Sequence, residues 1–342
     1  MAFFNTPLGV DLGTINVLIW KKGRIVLQEP TLVALQAEPD ERGNVEIVEI
    51  GQPAREMLGR VDEEDLEIIR PLVNGVIADY EVTQALLEYF LGRIAGRTAF
   101  FKPDIMISVP WGVTNVERRA VYEASLAAGA RKAYLIHEPL AAAVGAGLPV
   151  NTPAGDMIVN IGGGITEAAI ITMNHIVRAS SGRVGGLHMD EAIANYIRKK
   201  YNLVVGQPSA EALKVQIGAA HIEEEALSTE IQGMDHVSGL PRTLSLTTEE
   251  VVEALEEPLM QMVEIVKSLL IHTPPELASD IMGRGILLTG GGAMLRGIDT
   301  FLTQELRVPV FRADNPLSAV AIGAGRAITE PVLLRSVSQT VQ

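Results

Sequence analysis

Val159–Glu167 reads VNIGGGITE, a short apolar run broken by three consecutive glycines. Glycine tolerates positive φ and carries no Cβ, so backbone N–H groups in such a turn can converge on an anion. A lone GGG is equally how a chain makes a tight turn, so its meaning depends on what surrounds it. Val10–Trp20, VDLGTINVLIW, repeats the plan about 150 residues earlier: apolar strand, Asp or Asn, glycine turn, second apolar strand. A third strand-then-glycine turn stands at Gly290–Gly292. None matches GxxxxGK[ST] or a complete GxGxxG, which removes the P-loop and the dinucleotide fingerprint. Three glycine turns on strand ends, two in related hairpins, predict a phosphate cleft between two α/β lobes.

Composition permits this. The chain has 342 residues, 47% of them hydrophobic, enough for two core-bearing domains or one large bilobed one. Its formal charge of −14 disfavours a nucleic-acid partner, and the longest basic run, Arg198–Lys200, reads as a solvated helix face. With no cysteine, disulfides, thiolate metal sites and cysteine nucleophiles are excluded. The N-terminal MAFFNTPLGV lacks the basic and apolar regions of a secretory signal. No apolar run reaches the roughly 18–20 residues that span a bilayer. A cytoplasmic protein whose membrane contact is at most peripheral is expected.

Along the chain, strands and tight turns open the sequence, with a hairpin around KKGR at Lys21–Arg24. Val82, Leu86, Leu87 and Phe90 recur at helical spacing over Asp79–Arg93. Thr114 and Glu117 form a capping-box signature before a second helix. LAAAVGAGL, at Leu140–Leu148, predicts a helix packed through small residues. A long helix is expected from Thr248 to about Ile271, and Ile222–Leu246 reads as part of a smaller surface subdomain.

Several long motifs go beyond these patterns. DLGTINVLIW, ERRAVYEASLAAGARKAYLIHEPLAAAVGAGLP, IGGGITE, RVGG with MDEAI, and TPPELASDI with LLTGGGAMLRGID resemble the MreB family of bacterial actins from about Gly9 to Ile328. The resemblance implies an α/β actin-like ATPase fold: two lobes around a nucleotide cleft, each with a large α/β domain and a smaller subdomain. In this chain, residues 1–31, 72–150 and 316–342 would form the large subdomain of lobe I and 32–71 its small one. Residues 151–182 and 243–315 would form the large subdomain of lobe II and 183–242 its small one. Further implications are ATP and Mg²⁺ as cofactors and membrane-associated homopolymer filaments. The partners implied are membrane proteins of cell-wall elongation, at the inner face of the cell membrane.

By the same resemblance, Asp11, Gly13, Thr14, Ile15 and Asn16 match the first phosphate hairpin, with Asp11 holding Mg²⁺ through water. Asn160, Gly162, Gly163 and Gly164 match the second hairpin, and Glu211, Ala212, Leu213 and Lys214 an adenosine-contacting segment. Gly290, Gly291, Gly292, Ala293 and Met294 match a loop beside the purine. Glu138 matches the glutamate that orients or deprotonates the attacking water, a task suited to a carboxylate. Read without the resemblance, it is equally a helix N-terminal Glu before Pro139.

Three positions depart from the family pattern. Asn160 and Leu187 stand where relatives usually carry Asp, and Ile165 where they carry Thr. An Asn offers a dication no negative charge, yet it also repels a triphosphate less. Ile165 excludes water but cannot orient it, and loss of one positioned hydrogen bond in a transition state costs about 10²–10³-fold in rate. Thr166 alternates to the opposite face and offers no replacement. A nucleotide binder with slow or lost hydrolysis is expected.

AFF occurs at Ala2–Phe4 and again at Ala99–Phe101. Phe3, Phe4, Phe100 and Phe101 are therefore candidates for insertion into a lipid interface, with basic neighbours for anionic headgroups. Each buried Phe contributes only about 1.5–3 kcal/mol, so firm binding would need the avidity of a filament. Competing readings are an actin-fold small-molecule kinase, a chaperone ATPase of the same fold, and a degenerate paralogue that only copolymerises.

Overall fold

The computed structural model describes residues 6–38, 45–62, 64–95, 102–222 and 227–340. Phe3, Phe4, Phe100 and Phe101 lie outside the described residues.

The first half opens with β1 (Leu8–Leu12), β2 (Asn16–Lys21) and β3 (Arg24–Pro30), an antiparallel meander. Lys22 and Gly23 turn the second hairpin at φ 50° and 88°, both left-handed as a two-residue primed turn requires. Next come β4 (Val33–Gln36), β5 (Ile47–Ile50), α1 (Gln52–Met57) and β6 (Leu66–Ile69), whose strands form a small sheet in the order β5-β4-β6. A short hairpin, β7 (Leu72–Val73) and β8 (Val76–Ile77), returns the chain to the large sheet. There follow α2 (Tyr80–Ala95), β9 (Asp104–Val109), α3 (Asn115–Ala127), β10 (Lys132–His137) and α4 (Glu138–Ala146). Val82, Leu86, Leu87 and Phe90 of α2 are buried together, and Thr114 with Glu117 completes the expected capping box of α3.

The second half repeats the plan. β11 (Asp156–Ile161), β12 (Thr166–Thr172) and β13 (His175–Gly182) form its meander, and α5 (Gly186–Tyr201) leads away. The small sheet there is built by β14 (Leu203–Val204), β15 (Ser228–Asp235) and β16 (Pro241–Thr247), beside α6 (Gln207–Ile217). α7 (Thr248–Ile271) occupies the span expected for the long helix and buries Val251, Leu255, Leu259, Met262, Val263 and Val266. α8 (Pro275–Arg284), β17 (Ile286–Thr289), α9 (Ile298–Leu306), β18 (Val310–Arg312), α10 (Ala319–Thr329) and α11 (Pro331–Thr340) complete the chain.

The two large sheets have one topology. The order is β3-β2-β1-β9-β10 in lobe I and β13-β12-β11-β17-β18 in lobe II, each a three-strand meander with two parallel strands added beside its first. The sequence echo at Val10 and Val159 thus falls on equivalent strands, β1 and β11. Within lobe I, α4 crosses α10 at backbone contact. A Cβ on Gly145 would lie 1.8 Å from the Ala319 carbonyl oxygen, and one on Gly323 would lie 1.7 Å from that of Ala141. This explains the small-residue run at Leu140–Leu148, since any side chain at either glycine would force the helices apart. Around the crossing, Met106 and Ile136 of lobe I share a core with Ile158 and Ile171 of lobe II. Among the described residues, no single helix is long and apolar enough to cross a membrane.

Candidate functional site

The β1–β2 and β11–β12 turns face each other across a cavity of about 390 Å³, within the range of small-molecule sites. Their hydrogen bonds are equivalent: Gly13 N–H donates to the Asn16 carbonyl at 3.1 Å, and Gly162 N–H to that of Ile165 at 2.8 Å. A Cβ on Gly163 would lie 2.3 Å from Ile15 Cγ1, so the two turns interlock only because that position is glycine. Among the described residues, the N–H groups of Thr14, Ile15, Gly163 and Gly164 have no acceptor. All four residues line the cavity. Free N–H groups on paired turns can hold an anion. Gly290 turns the third loop at φ 83°, its N–H donating to the Pro316 carbonyl at 2.8 Å.

The floor is carboxylic. Asp11 lines the cavity and accepts from Ser108 Oγ at 3.2 Å. Burial pushes its pKa up to about 7, with the Ser108 hydrogen bond opposing. Glu138 opens α4 beneath the cavity. Burial first, then the nearby Glu167 and Asp11, hold it well above the usual carboxylate range. Glu167 is fully buried on β12 and accepts the Trp111 N–H at 2.6 Å, a bond from lobe I to lobe II. It is pushed up to about 7 by burial, against the pull of that N–H. Asn160 stands among them, accepting from Thr289 Oγ1 at 3.3 Å and donating from Nδ2 to Glu138 Oε2 at 3.4 Å. Ile165 completes the cavity wall with an apolar side chain, while Thr166 Oγ1 turns away to donate to the Val184 carbonyl at 2.8 Å.

The upper wall comes from α5 and α6. Gly186 and Leu187 N–H donate to the Gly162 and Gly163 carbonyls at 3.0 and 2.9 Å, fastening the start of α5 to the second turn. Lys214 Nζ reaches the Gly186 carbonyl at 2.9 Å and Asp190 Oδ1 at 2.6 Å. At the mouth, Arg55 of α1 pairs with Glu211 of α6 at 2.8 Å.

Of the residues singled out from sequence, Asp11, Gly13, Thr14, Ile15, Asn16, Glu138, Asn160, Gly162, Gly163, Gly164 and Ile165 line this one cavity. So do Glu211, Lys214, Gly290, Gly291, Gly292 and Met294. Ala212, Leu213, Ala293 and Leu187 do not. On α6 the helical period turns Glu211, Lys214 and Val215 inward, while Ala212 is exposed and Leu213 joins the core of lobe II. Ala293 is buried in that core too, and Leu187 contributes its N–H to the Gly163 carbonyl. Sequence reading passed over Glu167, Ser108, Asp190 and Arg55. A signal for Glu167 existed: it is the one acid in the otherwise apolar run following Thr166.

Two lobes of repeated topology closing on paired glycine turns define an actin-like protein. Solved structures agree: MreB5 of Spiroplasma citri bound to ADP superposes with a TM-score of 0.88 at 35% identity over 98% of each chain. The same protein bound to AMPPNP gives 0.89 at 35% identity, covering 98% of this chain and 99% of that one. A MamK double helical filament, at 23% identity and TM-score 0.79, shares the fold over 95% of this chain and 99% of its own.

The model of the MreB/Mbl protein family matches residues 5–336. Cell shape-determining protein MreB of Escherichia coli (strain K12) is 45% identical over 331 residues, 96% of this chain and 94% of that protein. Cell shape-determining protein Mbl of Bacillus cereus (strain ATCC 10987) is 44% identical over 323 residues, 94% and 95% of the two chains. The chain belongs to the MreB/Mbl family of bacterial actin homologues.

Proposed function

We propose that this protein binds ATP between its lobes, assembles into filaments on the inner face of the cell membrane and organises cell-wall synthesis, with slow hydrolysis. The observation that carries the nucleotide is the pair of interlocked glycine turns, whose free N–H groups face one cavity. Filament formation and the cytoplasmic, membrane-peripheral location rest on membership of the family and on the apolar AFF segments. Lobe boundaries follow the division given above, with residues 32–71 and 183–242 as the small subdomains.

Glu138 is the candidate to orient the attacking water. Ile165 beside it supplies no hydroxyl, which is the ground for slow turnover. Among the described residues, no three His, Asp or Glu side chains are arranged to ligate a metal directly. Magnesium would therefore be held through water by Asp11 and by the phosphates, and would supply neutralising charge. A second reading, a paralogue that copolymerises with an active relative, is favoured by the same Asn160 and Ile165.

Electron microscopy of the purified chain with ATP and lipid vesicles tests the proposal. Filaments lying on vesicles are expected. Absence of polymer, together with sugar-dependent ADP release, would instead indicate a small-molecule kinase.

A further inference from the structure

Asn160 sits in the β11–β12 ladder opposite Glu167 and in the β11–β17 ladder opposite Thr289, with 3% of its surface exposed. Both halves of its amide are engaged: the oxygen by the Thr289 hydroxyl, the nitrogen by Glu138 Oε2 across the lobes. The site around it already holds Asp11, Glu138 and Glu167. A carboxylate at position 160 would have no hydrogen to give Glu138 and would set a further negative charge against it in a buried site. Ionised, it would add charge of the same sign as an incoming triphosphate and favour a cation between them. The amide adds no such charge. It draws Glu138 toward lobe II with a hydrogen bond, while the phosphates are met by N–H groups of Thr14, Ile15, Gly163 and Gly164 that need no metal.

We propose that Asn160 frees nucleotide binding by this chain from dependence on a divalent cation, so that metal-free ATP and Mg·ATP bind with similar affinity. This rests on the ATP-binding reading above and goes further, because it sets the ionic form of the ligand. Asp11 still provides a place for a hydrated cation that arrives with the phosphates. What changes is that the cleft no longer requires one in order to close on its ligand.

Binding of a fluorescent ATP analogue to the full chain, in excess magnesium and in EDTA, is the test. The wild-type dissociation constant should change by less than about 3-fold between buffers, whereas Asn160→Asp should lose about 30-fold or more in EDTA and regain it with magnesium. Asn160→Ala, neutral but without the amide, should keep the wild-type insensitivity and serves if the Asp variant does not fold by circular dichroism. A wild-type loss of about 30-fold in EDTA would overturn the proposal. So would an Asp variant as metal-insensitive as wild type. No binding by wild type in either buffer would overturn the ATP-binding reading instead.

Discussion

Arg55 of α1 and Glu211 of α6 are 156 residues apart in sequence and meet at 2.8 Å across the mouth of the cleft. It is the one ion pair between the two lobes among the described residues. Both partners are partly exposed, at 39% and 23% of their side-chain surface, so the pair is worth no more than about 1 kcal/mol. Arg55→Ala should therefore speed nucleotide release by about 2–5-fold and make the release rate less sensitive to salt. Stopped-flow displacement of a fluorescent nucleotide measures both, and an unchanged rate with unchanged salt response would remove the pair from cleft closure.

Gly163 faces Ile15 with no space for a methyl group, since an added Cβ would lie 2.3 Å from Ile15 Cγ1. Gly163→Ala should push the turns apart and weaken ATP binding by about 10–100-fold, as expected for overpacking of 1–3 kcal/mol. Adding Ile15→Ala should recover part of the loss. Calorimetric titration of single and double variants decides it; independent, additive effects would count against the interlock.

Ile165 and Asn160 are the two side chains held to limit turnover. In excess magnesium, Ile165→Thr with Asn160→Asp should raise phosphate release at least several-fold over wild type. Equal rates in a coupled phosphate assay would refute an impaired site.

The carboxyl cluster predicts a pH dependence in the nucleotide-free protein. Glu167 is raised from 4.5 to about 7 on folding, so its favourable contribution is complete below the unfolded pKa. That contribution is lost as pH rises from about 4.5 through about 7, because the unfolded carboxyl ionises there while the buried one keeps its proton. Glu167→Gln keeps an oxygen for the Trp111 N–H but cannot ionise. Its melting temperature relative to wild type should climb between pH 5 and pH 8, by the equivalent of about 2–3 kcal/mol. A constant difference across that range would show that Glu167 does not titrate there.

Much of this molecule is written locally. Glycine turns flanked by apolar strands mark both hairpins, and the period of Val82, Leu86, Leu87 and Phe90 marks α2. The Thr114–Glu117 pair marked the start of α3 because a cap is made within four residues. Contacts between lobes left no such trace. Nothing near Glu167 in sequence says that its carboxyl will take the Trp111 N–H, and nothing near Arg55 points to Glu211. Reading Glu211–Lys214 as a block also ignored the turn of its helix, which carries Leu213 into the core and leaves Ala212 in solvent.

The crossing of α4 and α10 has a mechanical consequence. Backbone contact at Gly145 and Gly323 fixes α4 to α10 within lobe I, and the core that α4 shares with β11 and β12 joins that unit to lobe II. Glu138 begins α4 itself, whereas Arg55 and Glu211 meet at the mouth of the cleft. Helix α4 is thus a fixed post, its first residue standing in the cleft and its last turn pinned against α10.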